Sequence, residues 1–312
     1  MNADVNMDAL DLIREGKIKR FFRATRKLNA PDLVYHITQR AAGKEPLFLE
    51  DNDYLYMIGI LKEIFQNHSL RMYAFCLMPN HVHLLFSPQE DNLYDAMRDL
   101  FSMYAMRFNR KYERKGHLFG GPYRQAVCLD DSYLLAASLY IHLNPVKAGL
   151  ALTPRGYRWS SSGLYCKNDA PKSFIDPDFI LHILSEDQIE GRKRYRLLLK
   201  QGGELAAAHV LEQEDAIERF SSKLASIFPS IFRRLNNKKQ VIKSSDLGLL
   251  GMEELERKIK DMKGDRNFNT PESRKAGKYL IEQLIARGYK RAEIAERLCL
   301  SRKTVYNILK SA

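Results

Sequence analysis

A tight turn between two apolar runs constrains the fold of this 312-residue chain more than any other feature. Pro79-Asn80 separates residues 71–77 from residues 81–87, and both runs are mainly apolar. Proline and asparagine favour turns, and short apolar runs on either side of a turn are typical of paired strands. The sequence therefore predicts an antiparallel hairpin, and with it a sheet.

The segments around this hairpin alternate between strand and helix patterns. β-branched and aromatic residues predict strands at 32–39 and 125–129. Apolar residues at helical spacing predict helices over 52–67, 93–112 and from Ser132 to about Asn144, where Pro145 is expected to end the helix. The order predicts an α+β fold, a ferredoxin-like antiparallel sheet with helices on one face.

The rest of the chain divides by composition into further segments. Residues 1–30 form a predicted basic arm, with seven Lys or Arg between Arg14 and Lys27, and residues 31–165 hold the α+β domain. Residues 166–270 carry helical patterns and polar linkers of unassigned role, and residues 271–312 are well patterned for helices. An all-α C-terminal region is therefore expected after the sheet.

Composition excludes several classes of protein. The chain has no uncharged apolar run of about 18 residues, as a membrane-spanning helix would need, and we expect no membrane contact. Its N-terminus lacks a secretory pattern. Its four cysteines are widely spaced without a CxxC pair, which gives neither a zinc knuckle nor a disulfide framework. We expect a cytoplasmic, nucleoid-associated protein.

Basic residues point to a polyanionic partner. The formal net charge is +12, and such a surplus favours phosphate backbones through counterion release. A second basic cluster is interleaved with Tyr104, Phe108, Tyr112, Phe119 and Tyr123, a mixture suited to stacking unpaired bases. Its members are Arg107, Arg110, Lys111, Arg114, Lys115 and Arg124. We predict that they bind single-stranded DNA with a steep salt dependence; the alternative is a solvated helix face.

Two pairs of side chains carry possible chemistry. His81 and His83 alternate on a predicted strand, so both imidazoles project to one side, where they could bind Mn, Zn or, less readily, Mg. Tyr140 and Asn144 lie four residues apart on a predicted helix and share a face. A phenolic oxygen can attack phosphorus and an amide oxygen can complete a metal site. Each pair alone is weak evidence, because sheet histidines and helix tyrosines are more often structural.

Four segments together resemble a known family. CLMPNHVHLLF (76–86), FNRKYERKGHLF (108–119), SYLLAASLYIHLNPVKAGL (132–150) and YRWSSS (157–162) closely resemble the single-tyrosine HUH transposases, nearest to the REP-associated tyrosine transposase branch. The likeness covers about residues 33–162.

The resemblance implies a site and an activity. His81 and His83 would bind a divalent cation, Mg or Mn, with Asn144 as the third ligand and Tyr140 as the nucleophile. The implied enzyme is a metal-dependent endonuclease and strand transferase that acts on single-stranded, hairpin or repeat DNA through a 5′-phosphotyrosine. Family members can be dimers that exchange the tyrosine helix between subunits, so the resemblance leaves two alternatives for this chain: a homodimer, or a monomer with a site complete in cis.

The sequence departs from the family in one loop. Gly120-Gly121-Pro122 stands where a glutamine, a glycine and a basic residue are expected, which puts DNA contacts from this loop in doubt.

Tyr104, Tyr112 and Tyr123 are rival nucleophiles on chemistry alone. Three histidines have other expected roles: His36 is expected to be structural, and His117 and His142 either contact DNA or lie on the surface.

The C-terminal segment KRAEIAERLCLSRKTVYNIL resembles helix-turn-helix modules of recombinases and regulators. Ala295, Leu300, Val305 and Ile308 are spaced like the core between two such helices, with Ser301 as an N-cap. We expect this module to bind duplex DNA through the start of its last helix. The predicted contacts are Arg302, Lys303, Thr304, Tyr306 and Asn307. A three-helix protein-interaction bundle is the alternative.

Two other functions compete with the strand transferase. One is a non-catalytic DNA-binding regulator on the same scaffold, and the other is a nuclease that cleaves with activated water. The retention of Tyr140, His81, His83 and Asn144 favours the transferase over the regulator.

Overall fold

The structure is a computed structural model that describes residues 21–22, 31–43, 45–128, 130–205, 216–237, 250, 252–264, 270–286, 289 and 291–310. The predicted N-terminal basic cluster lies outside these residues, as do most of the predicted linkers. The chain divides into two compact units, residues 31–240 and a unit that contains residues 241–312. The predicted boundaries at 30, 165 and 270 stay predictions.

Four strands of the first unit form an antiparallel sheet. They are β1 (Val34–Arg40), β2 (Leu70–Met78), β3 (His81–Pro88) and β4 (Arg124–Cys128). β1 pairs with both β3 and β4, and β3 also pairs with β2, so the order across the sheet is β4-β1-β3-β2. A further two-residue strand, Phe21–Phe22, precedes them in the chain. The predicted hairpin and the ferredoxin-like α+β fold are confirmed.

Helices cover both faces of this sheet. α1 (Asp51–Asn67) packs an edge of Phe65 against Phe86 of β3, and α2 (Leu93–Lys111) packs beside α1. Successive side chains of a strand alternate between the two faces, and His83 is three residues before Phe86. His83 therefore lies on the face opposite to that of Phe86. There it meets Tyr140 of α3 (Asp131–Lys147). The expectation of helices on one face holds for the βαββαβ core, and α3 adds a layer on the opposite face.

α3 begins and ends differently from the prediction. Asp130, and not Ser132, caps its N-terminus, because its carboxylate accepts a hydrogen bond from the Tyr133 amide at 2.7 Å. The expected end at Asn144 is wrong. The helix continues through Pro145 to Lys147, and Gly149, with φ of 70°, follows the last turn. Burial explains the continuation, since every residue from Ser132 to Pro145 is buried.

The middle region packs onto α3. After a 3₁₀ turn at Pro154–Gly156 come five helices: α4 (Ser162–Cys166), α5 (Asp178–Leu184), α6 (Gln188–Leu205), α7 (Ala216–Ile227) and α8 (Pro229–Asn237). Leu181, Leu198, Phe220 and other buried residues of these helices share one core cluster with α3. The helical patterns predicted between 176 and 234 are confirmed, and these helices enclose the side of α3 that the sheet leaves open.

The second unit is helical in its described residues. It contains α9 (Met252–Gly264), α10 (Pro271–Ala286), α11 (Arg291–Arg297) and α12 (Arg302–Lys310). Ala295, Val305 and Ile308 are buried in its core and Leu300 packs against it, which confirms the predicted interhelical contacts. α9 contributes Leu255 to the same core. No helix in the described ranges of the chain has the length and apolar character needed to cross a membrane.

Candidate functional site

The two histidines of the HxH pair lie side by side on β3. His83 is 3% exposed and stands opposite Thr38 of β1, while the half-buried His81 stands opposite Arg40. Their ring centroids are 4.9 Å apart. Strand alternation brings them to one face, as the sequence predicts.

Both rings are held through Nδ1. Nδ1 of His81 lies 2.7 Å from Oδ1 of Asn80, and Nδ1 of His83 lies 3.0 Å from Nε2 of His36 and 3.2 Å from Oγ1 of Thr38. These contacts orient the rings and leave each Nε2 as the nitrogen that can meet an ion. Burial lowers the pKa of His81 to about 3 and that of His83 well below its usual value, and the charge of Arg40 adds to both shifts. Both imidazoles are therefore neutral at pH 7, the form that binds metals.

Tyr140 approaches the histidines from α3. Its ring centroid lies 5.9 Å from that of His83 and 6.4 Å from that of His36, and only 4% of the residue is exposed. Nδ2 of Asn144 donates to the backbone oxygen of Tyr140 at 3.0 Å. The structure thus brings the histidine pair and the tyrosine together, with the buried Asn144 one turn further along the helix.

The donor set fits a small divalent cation bound mainly by the histidine pair. Two imidazole nitrogens and one amide oxygen leave positions for phosphate and water, and Mn²⁺ accepts such a mixture more readily than Mg²⁺. In the part of the chain that the structure describes, no group of three or more His, Cys, Asp or Glu side chains is arranged to hold a metal. A third protein ligand would therefore have to be of another type, such as the amide of Asn144.

The rival tyrosines are engaged elsewhere. Tyr104 is buried, and its hydroxyl donates to the carbonyl oxygen of Leu47. The hydroxyl of Tyr112 donates to Asp53 at 2.7 Å, and the buried ring of Tyr123 lies 6.2 Å from that of Phe101 in α2. All three belong to the α1–α2 side of the molecule or its edge, which leaves Tyr140 as the tyrosine beside the histidines.

His142 has a structural role, contrary to both expectations for it. It is fully buried on α3, with Nδ1 2.8 Å from the Tyr195 hydroxyl and Nε2 2.8 Å from the Ser161 hydroxyl. Ser161 in turn accepts from the amide of Phe75 at 2.9 Å. His142 therefore ties α3 to β2 and α6. His117 is exposed, as expected.

The second basic cluster divides into paired and exposed residues. Lys111 forms ion pairs with Glu50 at 2.5 Å and Asp53 at 2.6 Å, and Arg114 pairs with Glu45. The guanidinium of Arg107 lies 4.3 Å from the centre of the Tyr56 ring. Arg110 and Lys115 are exposed, and Arg124 is half-buried on β4. The positive potential available to DNA is smaller here than the sequence indicates.

The predicted base-stacking role of the aromatic residues in this cluster is wrong for three of them. Tyr104, Phe108 and Tyr123 are between 1% and 8% exposed. Tyr104 and Phe108 lie on the buried face of α2, and Tyr123 packs near Phe101 of the same helix. Their rings are therefore unavailable to bases.

The unusual glycine loop has a packing reason. Gly120 donates a backbone hydrogen bond to Arg40 at 3.1 Å, and a Cβ at this position would lie 2.9 Å from the carbonyl oxygen of Ala41. Gly121 has φ of +135°, and its carbonyl accepts from Gln39 at 3.0 Å. The loop follows β1 closely, where a glutamine at 120 would collide with the backbone.

The predicted duplex contacts lie on α12. Arg302, Lys303 and Asn307 are exposed, and Tyr306 is 49% exposed. Thr304 is half-buried, with its hydroxyl 2.7 Å from that of Ser301. Ser301 also caps the helix by accepting from the Thr304 amide at 2.9 Å, as predicted.

Sequence reasoning missed three residues near the site. Thr38 and Arg40 alternate with His36 on β1, so the strand period could have placed them on the histidine face. Lys147 lies seven residues after Tyr140, on the same side of α3. Its Nζ is 5.3 Å from the centre of the Tyr140 ring. The expected helix end at Asn144 concealed it.

Comparison with known proteins finds one family and one solved structure that are similar to this chain. Residues 29–144 match the family model described as "Transposase IS200 like". A solved structure of a REP-associated tyrosine transposase bound to a REP hairpin is similar at 12% sequence identity, with a TM-score of 0.42. The similarity covers 50% of this chain and 94% of that chain. No curated protein matches the chain.

Proposed function

Because residues 29–144 are an IS200-like transposase domain, we propose that this chain cleaves and rejoins single-stranded DNA through Tyr140. The observation that carries the proposal is the approach of the Tyr140 ring to His83 at 5.9 Å, with both groups in one chain. The proposed substrate is a hairpin or a repeat that presents an unpaired strand.

The chemistry of the proposed reaction uses few protein groups. The phenolic oxygen of Tyr140 attacks phosphorus, the P–O3′ bond breaks, and the 3′-oxygen leaves and takes up a proton while the phenolic proton goes to solvent. The product is a 5′-phosphotyrosine and a free 3′-hydroxyl. A second 3′-hydroxyl reverses the step on another strand, so the phosphodiester energy is conserved. A divalent cation held by His81, His83 and Asn144 would polarise the scissile phosphate.

The surroundings of α3 support a site complete within one chain. The helix is enclosed by the sheet and by α4–α8 of the same chain, with Ser132 to Pro145 buried. Tyr140 therefore meets His83 of its own chain without any exchange of helices. We propose cleavage in cis, by a monomer or by either subunit of a dimer.

The first test is covalent trapping on DNA labelled at either end. With Mn²⁺ or Mg²⁺, the wild-type protein should form a denaturation-resistant adduct with the 5′-phosphate side of a single-stranded hairpin. Tyr140→Phe should form none, because it removes the attacking oxygen and leaves the histidines. Tyr112→Phe is the matched control, since Tyr112 is a half-buried tyrosine outside the site.

Other results would identify the competing functions. Cleavage that persists in Tyr140→Phe would favour a nuclease that uses activated water. Binding without cleavage across hairpins from the DNA flanking the gene would favour the regulator. Restored activity in a mixture of Tyr140→Phe and His83→Ala proteins would contradict cleavage in cis.

We also propose that the helix-turn-helix binds duplex DNA, supported by the exposed cations at the start of α12. Lys303→Ala should weaken duplex binding and reduce the slope of log affinity against log salt by about 1, as expected for one lost phosphate contact. Adduct formation on a short hairpin should not change. The control is Lys258→Ala, which changes a half-buried lysine of α9 that pairs with Glu254. An unchanged salt slope in Lys303→Ala would contradict the assignment.

A further inference from the structure

Lys147 holds an unusual position beside the proposed nucleophile. It lies in the last turn of α3, with Nζ 5.3 Å from the centre of the Tyr140 ring and 4.6 Å from that of Phe220, a residue of α7. Nζ is shielded from solvent and, within the described residues, has no hydrogen-bond partner. The ammonium therefore lies near two aromatic rings, and none of the carboxylates that the structure describes pairs with it.

A charge in this situation costs free energy unless an anion compensates for it. Aromatic faces attract a cation, yet they replace only part of the hydration that burial removes. Burial, together with the charge of Lys223, lowers the pKa of Lys147 to about 8. The group is still mainly protonated at pH 7, so the free protein maintains a poorly compensated positive charge beside Tyr140.

Helix capping does not account for this side chain. Lysines near a helix C-terminus often bind the last free carbonyls. Here the carbonyls of Asn144, Pro145 and Val146 already accept backbone amides from Ala148, Leu150 and Gly149, at 2.9, 2.8 and 3.1 Å. Nζ lies instead over the rings, on the side of α3 that carries Tyr140.

We propose that Lys147 binds the phosphate on which Tyr140 acts, a role that rests on the proposed function. Its ammonium would donate hydrogen bonds to a non-bridging oxygen of the scissile phosphate and of the 5′-phosphotyrosine, keeping its own protons throughout. Tyr140, Asn144 and Lys147 follow one another at i, i+4 and i+7 on a single helix. Nucleophile, proposed metal ligand and phosphate-binding cation would thus share one rigid element.

The kinetic test compares adduct formation in single turnovers at saturating hairpin DNA. Lys147→Met keeps the length and packing of the side chain but removes the charge, and should slow both adduct formation and rejoining about 10²-fold, the usual effect of losing one transition-state donor. The Kd for the hairpin should change little, and Lys147→Arg should recover part of the rate. Lys223→Met, which removes the neighbouring exposed cation, should stay within about threefold of wild type.

A thermal test reports on the same group without cleavage. Inorganic phosphate should raise the Tm of the wild-type protein and of Lys223→Met, because it binds the folded state. The same phosphate concentration should raise the Tm of Lys147→Met by less. Without phosphate, the Tm of Lys147→Met should equal or exceed that of wild type, because an unpaired buried charge has been removed.

The outcomes separate this proposal from the one on which it rests. A wild-type rate of adduct formation in Lys147→Met would overturn the role of Lys147 and leave the Tyr140 mechanism intact. An unchanged phosphate effect on Tm would also overturn it. If the wild-type protein forms no adduct, the proposed function fails, and the phosphate titration still decides whether Lys147 binds an anion.

Discussion

At the scale of single residues, the site depends on which nitrogen each histidine offers to the protein. Nδ1 of His83 is taken by His36 and Thr38, and Nδ1 of His81 by Asn80. Partners of this kind fix the tautomer and the direction of the opposite nitrogen. His36 was expected to be structural, and it does pack on β1, but its contact with His83 gives it a second effect on the proposed metal site.

His36→Ala should weaken Mn²⁺ binding by about 10- to 100-fold, as loss of an orienting partner of a metal-binding histidine does. The affinity is measured by calorimetry on the protein without DNA, which separates it from any effect on cleavage. His117→Ala, which changes an exposed histidine outside the site, should bind Mn²⁺ like wild type. Equal affinity in His36→Ala and wild type would show that Thr38 alone orients the ring.

At the scale of elements, the fit between α3, α6 and α7 determines how the tyrosine helix is held. Gly202 of α6 faces both neighbours, and a Cβ there would lie 3.1 Å from a ring carbon of Phe220 and 3.3 Å from a methyl group of Leu143. Both neighbours are buried and have little room to move. The close approach of these two side chains therefore favours glycine at this position.

Overpacking in Gly202→Ala should lower the free energy of unfolding by about 1–3 kcal/mol. The higher helix propensity of alanine should offset part of this loss. Gly59→Ala is the matched variant. Gly59 is exposed in α1 with no atom within 4 Å of the added Cβ, so its substitution should stabilise by up to about 1 kcal/mol. Urea unfolding measures both variants. Stabilisation of equal size in both would contradict the packing argument.

Local pattern predicts the elements of this chain better than their ends and contacts. The period of two in the His81–His83 segment placed the pair on one face, and helical spacing placed Asn144 one turn after Tyr140. The rule that proline ends helices failed at Pro145. Tertiary burial of α3 outweighed a local penalty of about 3 kcal/mol, and no local pattern reports such burial. The contacts of His36 and Phe220 were missed because they join residues far apart in sequence.

At the scale of the whole molecule, buried histidines make stability depend on pH. His142 is fully buried, and desolvation lowers its pKa to about 3 from an unfolded value of about 6.5. The unfolded chain therefore takes up a proton that the folded protein excludes. The stability contribution of neutral His142 is complete above pH 6.5 and is lost as pH falls from 6.5 towards 3.

The free energy of unfolding should consequently fall by about 1.4 kcal/mol per pH unit for this one group as the pH decreases below 6. His142→Gln should be less stable at pH 7.5, yet its slope between pH 6 and pH 4.5 should be smaller by about one proton. Urea unfolding across this range provides the slopes. His117→Gln, at an exposed position, is the control. It should keep the part of the pH slope that comes from buried His142. Identical slopes in His142→Gln and wild type would contradict the assignment.

The enclosure of α3 also has a consequence for hydrogen exchange. The amide hydrogens of Leu135–Leu143 lie in a helix that is buried on every side, between the sheet and the helices of residues 178–237. No local opening can expose them without separating those layers, so they should exchange with deuterium only when the whole 31–240 unit unfolds. The backbone that carries Tyr140 would then be among the slowest-exchanging parts of the protein. If catalysis requires motion, the DNA and the protein side chains would then move, and the backbone of α3 would not.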